Sequence, residues 1–326
     1  MGLQLIVWAV GPPLLLLAYY YRRISPAPPL PRLLMFFVVG ALSGLVALGL
    51  EWQFEYLANR IVDWDKITQS LAGVALRQLL EVGPIEEGCK FGSVVLLQSW
   101  NRSANEYQRF ILSRPSTVFI FTIAVALGFT AEENCVYFIN STASIFDRLI
   151  GTPVHALFAA PWGYALGIAS YSSINSGRYR GVIARAWINS VICHALVNVL
   201  SIAARYSSPL SYLSYGLFPF LLWMFWRIEQ LLRKVQRRPS IVIISGCTTI
   251  KRYWQMGLVL FALMLGGNTI FGLFLLVRSL SPLSLSQLFY PNVFWFLISR
   301  FLLNLIPGII AWGIYRYLRH SAIRRW

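Results

Sequence analysis

A chain of 326 residues that is 57% hydrophobic and only 12% charged is not a soluble globular enzyme, because soluble domains carry about 25% charged residues. Mean hydropathy is +0.61, and apolar runs of about 18–22 residues, each long enough to cross a bilayer as a helix, recur from end to end. The runs are continuously apolar, which excludes an outer-membrane barrel; the net charge of +16 is concentrated between them, so it is not a nucleic-acid signal.

The fold class is therefore all-α: a polytopic helical membrane protein with nine expected spans. In chain order they lie near residues 3–20, 33–50, 83–99, 116–138, 149–170, 183–203, 209–226, 254–276 and 293–314. The first lacks a basic start and is followed by Arg22, Arg23 and the Pro-rich linker SPAPPLP, so it reads as a span rather than a secretory signal. In the second, Gly40 and Gly44 form a GxxxG that predicts internal helix packing. The stretch 66–82 is too polar to span and reads as an outer-surface or re-entrant helix leading into span three. The organisation expected is a first span with its linker (1–32), a catalytic helical core (33–205) and further membrane helices for scaffolding or substrate docking (206–326).

The connections supply an orientation. Arg22, Arg23 and Arg32; Arg102, Arg109 and Arg114; Arg178, Arg180 and Arg185; seven residues from Arg227 to Arg252; and Arg316, Arg319, Arg324 and Arg325 all fall on one side. The other side holds only Arg60, Lys66, Arg148, Arg205 and Arg278. Cytoplasmic loops collect basic residues, so the N-terminus is expected outside and the C-terminus in the cytoplasm. The run from Arg227 to Lys251 suits anionic headgroups of the inner leaflet, and Trp52, Trp64, Trp100 and Trp254 suit interfacial anchoring. The four cysteines, Cys89, Cys135, Cys193 and Cys247, form no CxxC and read as packing residues.

Against this apolar background, ionisable residues within spans stand out, since each costs about 2.5–3.5 kcal/mol at bilayer depth. They are Glu86, Glu87 and Lys90 in span three, Glu132 and Glu133 in span four, His155 in span five and His194 in span six. Counted along alternately directed spans, they reach a similar depth in the outer half of the membrane. Glu86 and Lys90 share a helix face at i,i+4, as do His194 and Asn198, while Glu87 points about 100° away. A carboxylate beside an ammonium suits a base that activates water, and a His with an Asn suits donors to an oxyanion. The residue types also allow a zinc site of two histidines and one carboxylate (Glu86, His155, His194), although HExxH is absent and Lys90 would repel a cation. A proton-coupled transporter and a non-catalytic assembly or immunity factor are the alternative readings.

At these residues the sequence resembles the PrsW family of intramembrane proteases, distantly related to CAAX prenyl proteases and bacteriocin-processing proteins. GPIEEGCKF matches an EExxK motif, GFTAEENCVYF matches FxxxEN, GTPVHALFAAPWGYALG matches a His-bearing span, and ICHALVNVL matches HxxxN. The resemblance covers roughly residues 35–205. It implies cleavage of a membrane-anchored protein substrate near the membrane surface, of which shedding an anti-sigma factor is one form; the charge bias places the site in the outer half, and a bacterial cell membrane is the expected location. It assigns catalysis to Glu86, Glu87, Glu133, His155, His194 and Asn198, with Lys90 and Asn134 in support, and a glutamic rather than metal-dependent type. Glu132 doubles the acid before the second motif; the spacing from Phe129 selects Glu133.

Overall fold

The computed structural model describes residues 2–100, 112–171, 176–246, 248–280 and 283–323. Arg102, Arg109, Cys247, Arg324, Arg325 and the side chains of Trp100 and Arg178 lie outside the described residues. Within them the protein is helical, with no strand among the described residues. The chain divides into two compact units, Met1–Val199 with Ile228–Arg238, and Leu200–Arg227 with Pro239–Trp326. Among the described residues, six helices are long and apolar enough to cross a membrane: Leu3–Arg22, Leu30–Ile61, Pro115–Ile139, Tyr179–Arg205, Thr249–Leu280 and Pro291–Ala322. This is an integral membrane protein. The three other expected spans fall on shorter or more polar helices, Gly83–Trp100, Val154–Tyr171 and Leu217–Val235.

The first unit is built round one helix. We number the α-helices in chain order: α1 (Leu3–Arg22), α2 (Leu30–Ile61), α3 (Trp64–Ile67), α4 (Leu71–Arg77), α5 (Gly83–Trp100) and α6 (Pro115–Ile139). They continue as α7 (Ile145–Gly151), α8 (Val154–Tyr171) and α9 (Ser176–Ile202). Every residue of α6 from Ser116 to Ala131 is buried, and α1, α2, α5 and α8 pack against it. Lipid is as apolar as leucine, so membrane helices associate where small residues let backbones approach. That is how α6 is held. A Cβ at Gly40 would run into the Val125 carbonyl, one at Gly128 into the Phe37 carbonyl, and one at Gly44 into Glu132. On another face of α6, Gly163 lies on Thr122 and Gly167 on Pro115. Between the glycine contacts, Phe36 stacks on Phe121 with ring centroids 4.0 Å apart.

Prolines shape three junctions. Pro12 and Pro13 lie inside α1. Pro13 has no N–H to give the Ala9 carbonyl four residues back, and Asn134 Nδ2 fills the vacancy at 3.1 Å. Pro84 likewise cannot serve Leu80; the chain widens into a π turn over Gln78–Val82, closed by the Gly83 N–H on the Gln78 carbonyl. Finally, the expected fifth span does not run unbroken from residue 149. Its first residues belong to α7, and Pro153, placed where a helix need not donate, precedes α8.

Two further expectations change. The stretch 66–82 is not one helix: Ser70 caps a new start by accepting from the Gly73 N–H at 3.0 Å, and α4 then runs through the π turn into α5. Trp64 is buried rather than interfacial, its Nε1 donating to Glu81 Oε2 at 2.8 Å; Arg77 pairs with the same Glu81 and with Glu55. Trp52 and Trp254 are exposed.

The second unit contains α10 from Leu217 (Leu217–Val235, completed in the first unit), α11 (Thr249–Leu280), α12 (Leu285–Leu288) and α13 (Pro291–Ile323). The expected seventh span begins later than residue 209, because Leu210–Gly216 is 3₁₀ helix. Helices α11 and α13 pack on each other where Gly272 meets Asn304 and Gly308 meets Thr269.

Candidate active site

The π turn sets the start of α5 and hence the direction of its first-turn acids. Glu86, Glu87 and Lys90 are all buried. Lys90 Nζ lies 3.0 Å from Glu86 Oε2, 2.9 Å from Glu87 Oε1 and 2.8 Å from His155 Nδ1, and 4.0 Å from the centre of the Phe129 ring. An ammonium has three protons, and here three acceptors take them. A carboxylate left in such surroundings without a partner would be strongly destabilising, and one lysine is the partner of both. The two acids then diverge. Glu87 Oε2 accepts from the indole of the buried Trp162 at 3.0 Å, and Glu86 faces the histidines.

Helix α8 contributes His155. Since Nδ1 accepts from Lys90, the network assigns the proton to Nε2, which donates to Glu133 Oε2 at 2.8 Å. The same carboxylate oxygen accepts Arg148 Nη2 at 2.6 Å, and Arg148 Nε donates to Asn134 Oδ1 at 2.6 Å. Asn134 thereby links Arg148 to the Ala9 carbonyl. Glu132, about 100° round α6 from Glu133, points to Gly44, and its Oε1 has no hydrogen-bond partner among the described residues.

Helix α9 contributes His194. Its ring stacks on Phe158 with centroids 4.5 Å apart, and Ser190, one turn earlier, donates to the Phe158 carbonyl at 2.5 Å. His194 Nε2 lies 3.9 Å from Glu86 Oε2 and Nδ1 lies 3.6 Å from Glu87 Oε1; Nδ1 has no hydrogen-bond partner among the described residues. Asn198, a turn further on, donates through Nδ2 to Gln78 Oε1 at 2.8 Å and so ties α9 to the π turn. Thus Glu86, Glu87, Lys90, Glu133, His155 and His194, from four helices, form one cluster, with Asn134 and Asn198 bonded at its margins.

Two members escaped the sequence. Trp162 stands seven residues after His155, on the same helix face, and that spacing was the available signal. Arg148 read only as one of the few basic residues of an outer connection, and nothing local marked it.

Three carboxylates (Glu86, Glu87, Glu133) lie against two basic side chains (Lys90, Arg148). Ligand atoms of Glu86, His155 and His194 all lie within 4.8 Å of one another. A histidine ligand whose other nitrogen is held by a carboxylate is the usual support of a metal, and Glu133 holds His155 in that way. The donor set fits a divalent cation of zinc type, with Lys90 competing for the Nδ1 lone pair.

The comparisons with known proteins agree with the motifs. The model of a family described as PrsW family intramembrane metalloprotease matches residues 28–224. Protease PrsW of Shouchella clausii (strain KSM-K16) is 25% identical over 234 residues, covering 70% of this chain and 96% of that protein. No solved structure matches. With a family match that spans α2 to α9 and encloses the whole cluster, the chain belongs to the PrsW family.

Proposed function

We propose that this protein hydrolyses a peptide bond of a membrane-anchored protein near the outer face of a bacterial cell membrane, using water activated by Glu86. Membership of the PrsW family supports an intramembrane protease, and a protease in a membrane implies a protein substrate there. The observation that carries the chemistry is a gap. Glu86 Oε2 is 3.9 Å from His194 Nε2, too far for a direct hydrogen bond, and the neighbouring His155 Nδ1 is already taken by Lys90, so Glu86 and His194 are the pair that a water can bridge.

In this reading Glu86 takes a proton as the water oxygen bonds to the carbonyl carbon, and the carbonyl oxygen becomes an oxyanion. His194 donates to that oxyanion, Lys90 supplies positive charge, and Asn198, bonded to Gln78, holds α9 against the π turn. Collapse of the tetrahedral carbon breaks the C–N bond, and the proton passes from Glu86 to the leaving nitrogen. Glu87, fixed by Lys90 and Trp162, holds the ammonium between the two acids. If a zinc-type cation is resident, Glu86, His155 and His194 hold it and it lowers the pKa of its water towards about 7. Cleavage of single-span substrates by purified protein, with and without chelator, separates the two cases. Unchanged cleavage under chelation supports the glutamic type and abolished cleavage the metal type; no cleavage across a broad panel overturns the protease reading.

Nine crossings, the N-terminus outside and the site in the outer half complete the proposal, supported by the imbalance of basic residues between alternate connections. Reporter fusions after residues 27, 108, 182 and 245 should all report cytoplasm. An extracytoplasmic signal at any two of them removes the orientation and the outer-half site together. Shedding of an anti-sigma factor is one form such proteolysis takes, for which an extracytoplasmic substrate domain is the requirement.

A further inference from the structure

Arg148 lies outside every motif of the site, yet it is held from all sides. Its helix α7 starts in a capping box, with Ser144 Oγ accepting from the Asp147 N–H at 3.2 Å and Asp147 Oδ2 accepting from the Ser144 N–H at 3.4 Å. Its own carbonyl accepts both the Thr152 N–H at 2.9 Å and the Thr152 hydroxyl at 2.8 Å. The guanidinium lies 4.3 Å from the centre of the Tyr137 ring and bonds Glu133 and Asn134, each at 2.6 Å. Its side chain is 13% exposed.

An arginine that merely anchored a connection could use either oxygen of Glu133. This one uses Oε2, the oxygen that also accepts His155 Nε2. The guanidinium therefore fixes the carboxylate rotamer, and an oxygen so placed accepts the proton carried on His155 Nε2. We infer that Arg148 is a positioning residue that locks His155 in the Nε2–H tautomer, so that the Nδ1 lone pair faces Glu86 and Lys90. Released from Arg148, Glu133 can turn away, and His155 can carry its proton on Nδ1, where it would donate towards Glu86 and could no longer accept from Lys90. The inference deepens the proposed function, resting on it for the use made of that lone pair but not for the tautomer itself.

The chain has three histidines, His155, His194 and His320, so ¹⁵N-histidine labelling of the full-length protein in detergent micelles gives an assignable spectrum, with His155→Gln identifying the signal. Wild type should show His155 with a bare Nδ1 and a protonated Nε2. Arg148→Gln should lose that single tautomer and cleave about 10–100-fold more slowly, through kcat with KM unchanged. Arg148→Lys, which keeps a cation on Glu133 and gives up Asn134, should hold the tautomer and lose less than about tenfold. A wild-type His155 that exchanges between tautomers, or a folded Arg148→Gln with the wild-type spectrum, overturns the inference. So does a folded Arg148→Lys that loses the tautomer, which keeps the test decisive if Arg148→Gln does not fold. Should the wild type cut nothing, the protease reading falls while the spectra still decide the role of Arg148.

Discussion

Helices α6 and α13 are both apolar enough to cross a membrane, with mean hydropathies of 1.5 and 1.9, yet 89% of the most apolar stretch of α6 is buried and none of that of α13. The more apolar helix is the exposed one. In water this order would be perverse; in lipid it is expected, because apolar surface gains little by leaving hydrocarbon and burial follows small and polar side chains instead. Helix α6 carries Thr117, Thr122, Thr130, Asn134 and Gly128, and receives glycines from α2 and α8. Helix α13 offers Asn304 and Gly308 to α11 and turns Leu302, Leu303, Ile306 and Ile309 outward. The buried charges sit where the protein itself replaces lipid, since only there can several of them find partners.

Matched substitutions put this contrast under the greatest strain. Gly128→Leu would drive a side chain into the Phe37 carbonyl and should cost about 3 kcal/mol or more, losing the folded protein and with it all cleavage. Gly313→Leu on α13, where an added Cβ meets nothing within 4 Å, should shift thermal unfolding in detergent by less than about 0.5 kcal/mol. Equal losses for the two glycines would end the comparison. Within the buried region, Glu86→Gln should lower cleavage by about 10²–10⁴ with expression and insertion intact, because removing a charge does not oppose insertion. Wild-type turnover in that variant would refute the role given to Glu86. His194→Ala should lose about 10²–10³, and Asn198→Ala less, in a gel-based assay on a single-span protein with an extracytoplasmic domain. The smallest effect belongs to the lipid-facing helix: Ile309→Ala, at a side chain 67% exposed, should leave both cleavage rate and thermal midpoint where they were.

The contrast also explains what could be read from the residues. Charged and imidazole side chains in apolar helices are expensive, so Glu86, Glu87, Lys90, Glu133, His155 and His194 announced themselves, and the helices bring them into one cluster. The six most apolar helices were equally plain. Long-range partners were not. Arg148 reaches back 15 residues to Glu133, and Trp162 lies 75 residues from Glu87; neither distance leaves a periodic trace. Trp64 looked like an interfacial anchor because its buried partner, Glu81, stands 17 residues away. Breaks were also obscured. A hydropathy window runs through Pro153 without noticing the missing donor, and it cannot tell the 3₁₀ turn at Leu210–Gly216 from the helix that follows.

The proline pair of α1 has a consequence for the interchangeability of parts. An apolar helix that satisfies all its own carbonyls is anonymous, and any other of equal length could stand in for it. Pro13 leaves the Ala9 carbonyl needing a donor, and Asn134 in turn needs that acceptor. This makes the first helix, which precedes residues 28–224 of the family match, a keyed component rather than generic membrane filler. A chimera with a proline-free span in its place would insert as well as before, yet it would return a buried amide proton to hydrocarbon one residue from Glu133. Exchange of the first helix should therefore cost more than exchange of an unkeyed one such as α13.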